Sequence, residues 1–141
     1  MKTLYVFYDP ICGFCERCRT WMEDQPAFLE LVFVPKTWAD LDRCFPGLKI
    51  DHDNELVVVA DNGAVYRHER AYLLCLYALE HYRELSFRLA QPAWLPLARR
   101  AFDWLSRNRG RLSHWIGLDE SEERRLLRPV PREFVERRMQ R

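Results

Sequence analysis

Nothing in this 141-residue sequence is long and apolar enough to span a membrane as a helix. The longest apolar runs, Leu56 to Ala60 and Ala71 to Leu79, fall far short of the roughly 20 residues a crossing needs. A targeting leader is not expected either. The opening MKTLYVFYDP meets Asp-Pro after an apolar stretch of only about five residues, with no small-residue cleavage site. The protein is therefore expected to be cytoplasmic. Charge of one sign is lacking: 22 basic against 21 acidic residues leave a net +1. That balance gives no general pull toward nucleic acid or an anionic membrane. Glycine is scarce, at five residues, and no glycine-rich dinucleotide loop is present, so no organic cofactor is implied. The five cysteines are an odd number in a chain whose 48% hydrophobic content suffices for one real core. A secreted disulfide framework and whole-chain disorder are both excluded on those grounds.

What is there reads as alternating strands and helices. Residues 3–8, TLYVFY, are β-branched and aromatic and predict a strand that Asp9-Pro10 breaks. From Gly13 to about Asp24 a helix is expected, with Phe14, Cys18, Trp21 and Met22 at i, i+4, i+7 and i+8. Gln25-Pro26 ends it. A second strand is expected over 28–34, and a short helix over 38–45, stopped by Pro46-Gly47. LVVVA at 56–60 is a continuous apolar run, as in a strand buried on both faces. Asp61-Asn62-Gly63 is a hairpin signal, returning antiparallel through 64–67. Residues 71–81 are apolar almost all round and predict a buried helix. Pro92 can open a further helix, with Trp94, Leu97, Ala98, Ala101, Phe102 and Leu105 as its core stripe. Gly110 and Gly117 punctuate the chain beyond that stripe. The order β-α-β-α-β-β-α is that of a thioredoxin-like α/β domain, a mixed central sheet with added C-terminal helices. It occupies residues 1–118, and a charged Arg/Glu-rich tail runs over 119–141.

Three of the five cysteines fall within seven residues. Cys12-Gly13-Phe14-Cys15 sits between the first strand and the first helix, the setting in which C-x-x-C reads as a redox pair. A Cys12 sulfur at the helix start faces unpaired N–H groups that favour negative charge. Such thiols fall from a pKa of about 8.5 to about 7 or lower, a change worth roughly 2 kcal/mol. The thiolate is the attacking species. Cys12 is thus the expected nucleophile and Cys15, one turn further in, the resolving thiol. The expected partners are a disulfide-containing protein or small-thiol substrate and an external reductant.

The segment FYDPICGFC, with Asp9 three residues before Cys12, resembles the D-x-x-C-x-x-C signature of the DCC family of predicted thiol–disulfide oxidoreductases. VVVADNGAVYRHERAYL and WLSRNRGRLSHWIG resemble that family's second hairpin with its following helix and its closing segment. The resemblance covers roughly residues 3–118. It implies a thioredoxin-like fold, disulfide reductase activity and functional residues Asp9, Cys12 and Cys15. One departure from thioredoxins proper is visible. They carry a cis-proline before the third strand, where this chain has Asp53-Asn54-Glu55-Leu56.

Other readings compete at several positions. Asp9 serves equally as a helix cap or as a proton shuttle during resolution, and its charge would raise the thiol pKa. Cys18 extends the motif to C-x-x-C-x-x-C, so a metal or iron–sulfur module using Cys12, Cys15 and Cys18 is the alternative function. Its fourth ligand, however, would fall at Met22. An inert Cys18 facing the core is the simpler expectation. Cys44 and Cys75 read as core thiols. The four histidines have no ligand spacing, and the five tryptophans read as core first. Trp104 within the Arg99–Arg111 stretch fits an amphipathic helix with a solvated basic face, so no nucleic acid is expected. A third possibility is an interaction domain with a vestigial C-x-x-C.

Overall fold

The computed structural model describes residues 1–9, 13–50 and 56–116. Among these residues the elements run β1 (Thr3–Tyr8), α1 (Gly13–Glu23), β2 (Glu30–Pro35), α2 (Leu41–Cys44), β3 (Val57–Ala60), β4 (Val65–Arg67), α3 (Glu69–Ala78), α4 (Arg83–Leu89) and α5 (Leu95–Ile116). The strands form one sheet in the order β2-β1-β3-β4. β1 runs parallel to β2 and antiparallel to β3, and β3 pairs antiparallel with β4. This mixed sheet with helices is the expected thioredoxin-like arrangement. The tail over 119–141, Cys12 and Asp53 to Glu55 lie outside the described residues.

Strand alternation divides the core in two. Leu4, Val6 and Tyr8 of β1 join Phe33, Val58, Ala60 and the α3 residues Ala71, Cys75 and Ala78 on one face. Tyr5 and Phe7 join Val34, Val57, Val59 and the α2 segment residues Leu41, Cys44 and Phe45 on the other. The β3–β4 turn works as its sequence predicts. Gly63 adopts φ +89°, the left-handed region glycine enters without penalty. Asn62 Oδ1 accepts from the Ala64 N–H at 3.0 Å. Asp61 then ties the turn to the chain start, its Oδ2 accepting from the N–H groups of Lys2 (2.8 Å) and Thr3 (3.2 Å).

Several element boundaries differ from expectation, each for a tertiary reason. β2 begins at Glu30 rather than residue 28, because the Phe28 N–H donates to Ala78 O at 2.8 Å beside the Ala27–Leu79 bridge. That same bridge draws Leu79 into extended backbone, so α3 stops at Ala78, short of His81. The helix expected over 38–45 is confined to Leu41–Cys44, and Trp38 sits in the turn before it. From sequence, no element is expected over the residues of α4. This helix is held by Arg83, whose guanidinium lies over Phe28 and Tyr77 at 4.2 and 4.0 Å and donates to Tyr77 O at 2.8 Å.

α5 begins at Leu95, with Pro96 in its first turn, where a missing N–H costs nothing. It runs straight through Gly110, since one interior glycine costs only about 1 kcal/mol. The expected six-residue core stripe is corrected. Ala98 is buried and Phe102 and Leu105 half-buried, but Trp94, Leu97 and Ala101 are exposed. The helix docks on α1 and α3 through a narrower seam. Tyr72 and Phe102 stack at 4.6 Å with rings 6° from parallel, and the Tyr72 hydroxyl meets Ser106 Oγ at 2.7 Å. The expectation of core tryptophans is likewise corrected: Trp21, Trp94 and Trp104 are all exposed, Trp104 by 53%.

Candidate functional site

β1 ends at Tyr8 and α1 begins at Gly13, and the expected site residues fall at this junction. Asp9, immediately after β1, and Phe14, Cys15 and Cys18 of α1 line one apolar cavity of about 150 Å³. Cys12 directly precedes the first helical residue in sequence and lies outside the described residues. The structure therefore brings two of the three expected site residues, Asp9 and Cys15, to one cavity. Both are half-buried. Gly13 as the first residue of α1 puts Cys15 in the first turn, where backbone N–H groups lack helical partners and the helix end favours negative charge.

The cavity lies between α1 and the α3-bearing face of the sheet. Phe33, Leu56, Tyr72, Leu76 and Phe102 add to its wall, with Trp21 and Met22 from the next turns of α1. Trp21 meets the Tyr82 ring edge-on at 5.0 Å. Cys18 and Cys75 line the same cavity as Cys15. They are chemically unequal. Cys75 is fully buried, and burial, with the nearby Cys18 charge adding to it, pushes its pKa up to about 12. It is an inert core thiol, as expected. Cys44, on the other face, is also buried. Cys18 is half-buried, and its helix face does point to the core as expected, although it lines the cavity.

Two residues at this site carry no signal in a motif reading. Lys36, directly after β2, is buried and lines the cavity. Its N–H donates to Tyr8 O at 2.9 Å, extending the β1–β2 ladder by one step. The ladder, and not any local pattern, sets its position near the end of β1. Tyr72 is the second. Its pKa is pushed up to about 12, chiefly by burial; the Ser106 hydrogen bond opposes this and the charges of Cys15, Cys18 and Cys75 reinforce it. Tyr72 stays a neutral phenol next to the thiols. A lone lysine and a tyrosine in a helical apolar run are ordinary in sequence.

Beneath the site α1 is clamped by Arg19. Its Nη1 donates to the Tyr8 hydroxyl at 2.9 Å, and its Nε donates to Glu23 Oε1 at 3.0 Å. Glu16 adds an ion pair at 3.4 Å. The guanidinium lies 5.0 Å from the Tyr8 ring centroid. The result fixes the rotation of α1 against β1, and with it the direction of Cys15 and Cys18. Among the described residues no three His, Cys, Asp or Glu side chains converge as a metal site. The alternative centre at Cys12, Cys15 and Cys18 includes a residue outside that set. Among the described residues, too, no helix is long and apolar enough to cross a membrane.

The model of the DCC1-like thiol-disulfide oxidoreductase family matches residues 6–115, which run from β1 to the last turn of α5. No curated protein and no solved structure matches the chain.

Proposed function

From the premise that this chain belongs to the DCC1-like thiol-disulfide oxidoreductase family, we propose that it reduces disulfides by a Cys12–Cys15 dithiol cycle. Cys12 thiolate attacks one sulfur of the substrate disulfide, and the other substrate sulfur leaves as a thiol. The mixed disulfide on Cys12 is then attacked by Cys15, which releases the second substrate thiol. Two electrons and two protons have passed to the substrate, and Cys12–Cys15 is left oxidised. An external dithiol or small thiol restores it. The observation that carries this reading is the position of Cys15, on the first turn of α1 and in the wall of an apolar cavity.

The surroundings support the roles. Asp9 lines the same cavity and serves in this cycle to accept or return the proton of the resolving thiol, as carboxylates do at general-base steps. Lys36 is buried in the cavity wall, and in its protonated form it favours thiolate over thiol. The substrate is a protein disulfide or a small disulfide, and the protein acts in the cytoplasm, where glutathione and thioredoxin systems keep thiols reduced.

The test is a trapping experiment. Cys15→Ser, incubated with a disulfide substrate, is expected to accumulate a mixed disulfide through Cys12, identified by peptide mass spectrometry. Trapping through Cys18 instead, or no adduct at all from folded protein, contradicts the assignment.

A further inference from the structure

The cavity beside Cys15 is larger than a packing defect, and its wall is predominantly apolar. Its volume is about 150 Å³. Cavities of about that size lined by Leu, Ile and Phe stay dry and take up benzene. Here Phe14, Phe33, Leu76 and Phe102 supply the same kind of wall. The thiols of Cys18 and Cys75 add soft, weakly hydrogen-bonding surface that packs well against rings. Among the described residues no buried side-chain polar atom is left without a partner. Asp9 and Lys36 also line the cavity, but its wall is predominantly apolar, so a water inside would find few of the two to four polar partners it requires. Trp21, 39% exposed, is the most open of the wall residues.

We propose that this cavity is a specificity pocket for one ring-sized apolar group, carried by a small-molecule disulfide substrate next to its reacting sulfur. This rests on the dithiol reading above, and names the substrate class for it. The ring rests against Phe33, Leu76 and Phe102, and its disulfide is left at the amino end of α1, where the dithiol reading puts the reacting pair. The bond changes are those of the dithiol cycle: two electrons and two protons pass from the enzyme thiols to the substrate, and an external thiol restores them. A polar disulfide of the same size gains nothing from the pocket.

Two measurements on the full chain separate the pocket from the chemistry. The first is toluene titration followed by NMR of the Met22 methyl group. Saturable shifts are expected, and Leu76→Phe, which fills the cavity, is expected to remove them. The second compares turnover of benzyl 2-hydroxyethyl disulfide with that of bis(2-hydroxyethyl) disulfide. Burying the ring is expected to favour the benzyl substrate by about tenfold or more in kcat/KM. Leu76→Phe should collapse that ratio, and Leu76→Ala should move the preference toward a naphthyl substrate. Equal turnover of the two disulfides with no toluene shift overturns the pocket and leaves the dithiol reading standing. Toluene binding with no turnover of either disulfide overturns the dithiol reading, and the substrate assignment falls with it.

Discussion

The two faces of the sheet use the same strand differently. On the α2 side, Tyr5 and Phe7 of β1 close onto Phe45 edge-to-face at 5.4 and 5.0 Å. On the α1 and α3 side, Tyr8 and Phe33 of that sheet border a cavity shared with three thiols. The first arrangement maximises contact, and each ring is fixed by its neighbours. The second forgoes part of that contact beside the helix start, where charge is easiest to hold. A cysteine on each face makes the contrast concrete. Cys44 is buried in the α2 cluster, whereas Cys15 is half-buried against open volume. Stability and reactivity have been assigned to opposite sides of one β-sheet.

Substitution should separate these roles. The largest effect is expected at Cys15. Cys15→Ser should reduce multiple turnover of a disulfide substrate to background, and Cys44→Ala should retain it with a stability loss of about 1 kcal/mol. Thiol reactivity comes next. With its pKa pushed up to about 12, Cys75 should react with iodoacetamide at pH 7 roughly a thousandfold more slowly than an ordinary thiol of pKa about 8.5. Quench-and-digest mass spectrometry gives the rate at each site. Rapid labelling of Cys75 in folded protein would erase the distinction between the cavity thiols.

Phe45→Ala should cost about 3–5 kcal/mol in urea unfolding, and the protein that remains folded should keep its turnover. A loss of activity in the folded fraction would mean the α2 face is not merely structural. Arg19→Met should cost less, about 1–3 kcal/mol, because the Tyr8 hydroxyl and two glutamates lose a charged partner. It should also slow turnover, since the orientation of α1 is loosened. The smallest effect belongs to Asp61, at the end of the sheet where β1 starts, away from the site. Hydrogen bonding from the Lys2 N–H is the main cause of its lowered pKa. Its stabilising contribution is therefore present above the ordinary carboxylate pKa and fades as pH falls through the lowered value. Asp61→Asn should flatten the acid limb of the stability curve without changing activity at pH 7.

The order of elements from β1 to α3 was legible because each carries its own local signal. The alternation in Thr3–Tyr8 and the Asp61-Asn62-Gly63 turn are both of this kind. The illegible parts depend on contacts across the fold. α4 is held by Arg83 between Phe28 and Tyr77, a cation–ring contact that no periodicity announces. The apolar stripe of α5 is longer than the seam it packs through, so Trp94 and Leu97 are left 52% and 59% exposed. Periodicity gives the face of a helix but not how much of it finds a partner. The same holds at the site. That Asp9 and Cys15 sit close together was readable, because both belong to one strand–helix junction. Lys36, Tyr72 and the cavity were not, because they come together only when β2, α3 and α5 are assembled around α1.

The most direct test of the account is an equilibrium redox titration against dithiothreitol, with each cysteine's state read by alkylation and peptide mass spectrometry. The account predicts one two-electron transition confined to Cys12 and Cys15, at a potential between about −180 and −270 mV. Cys18, Cys44 and Cys75 should remain thiols throughout. Absence of a Cys12–Cys15 disulfide at every potential, or alkylation of Cys12 and Cys15 blocked by a bound metal, would contradict it.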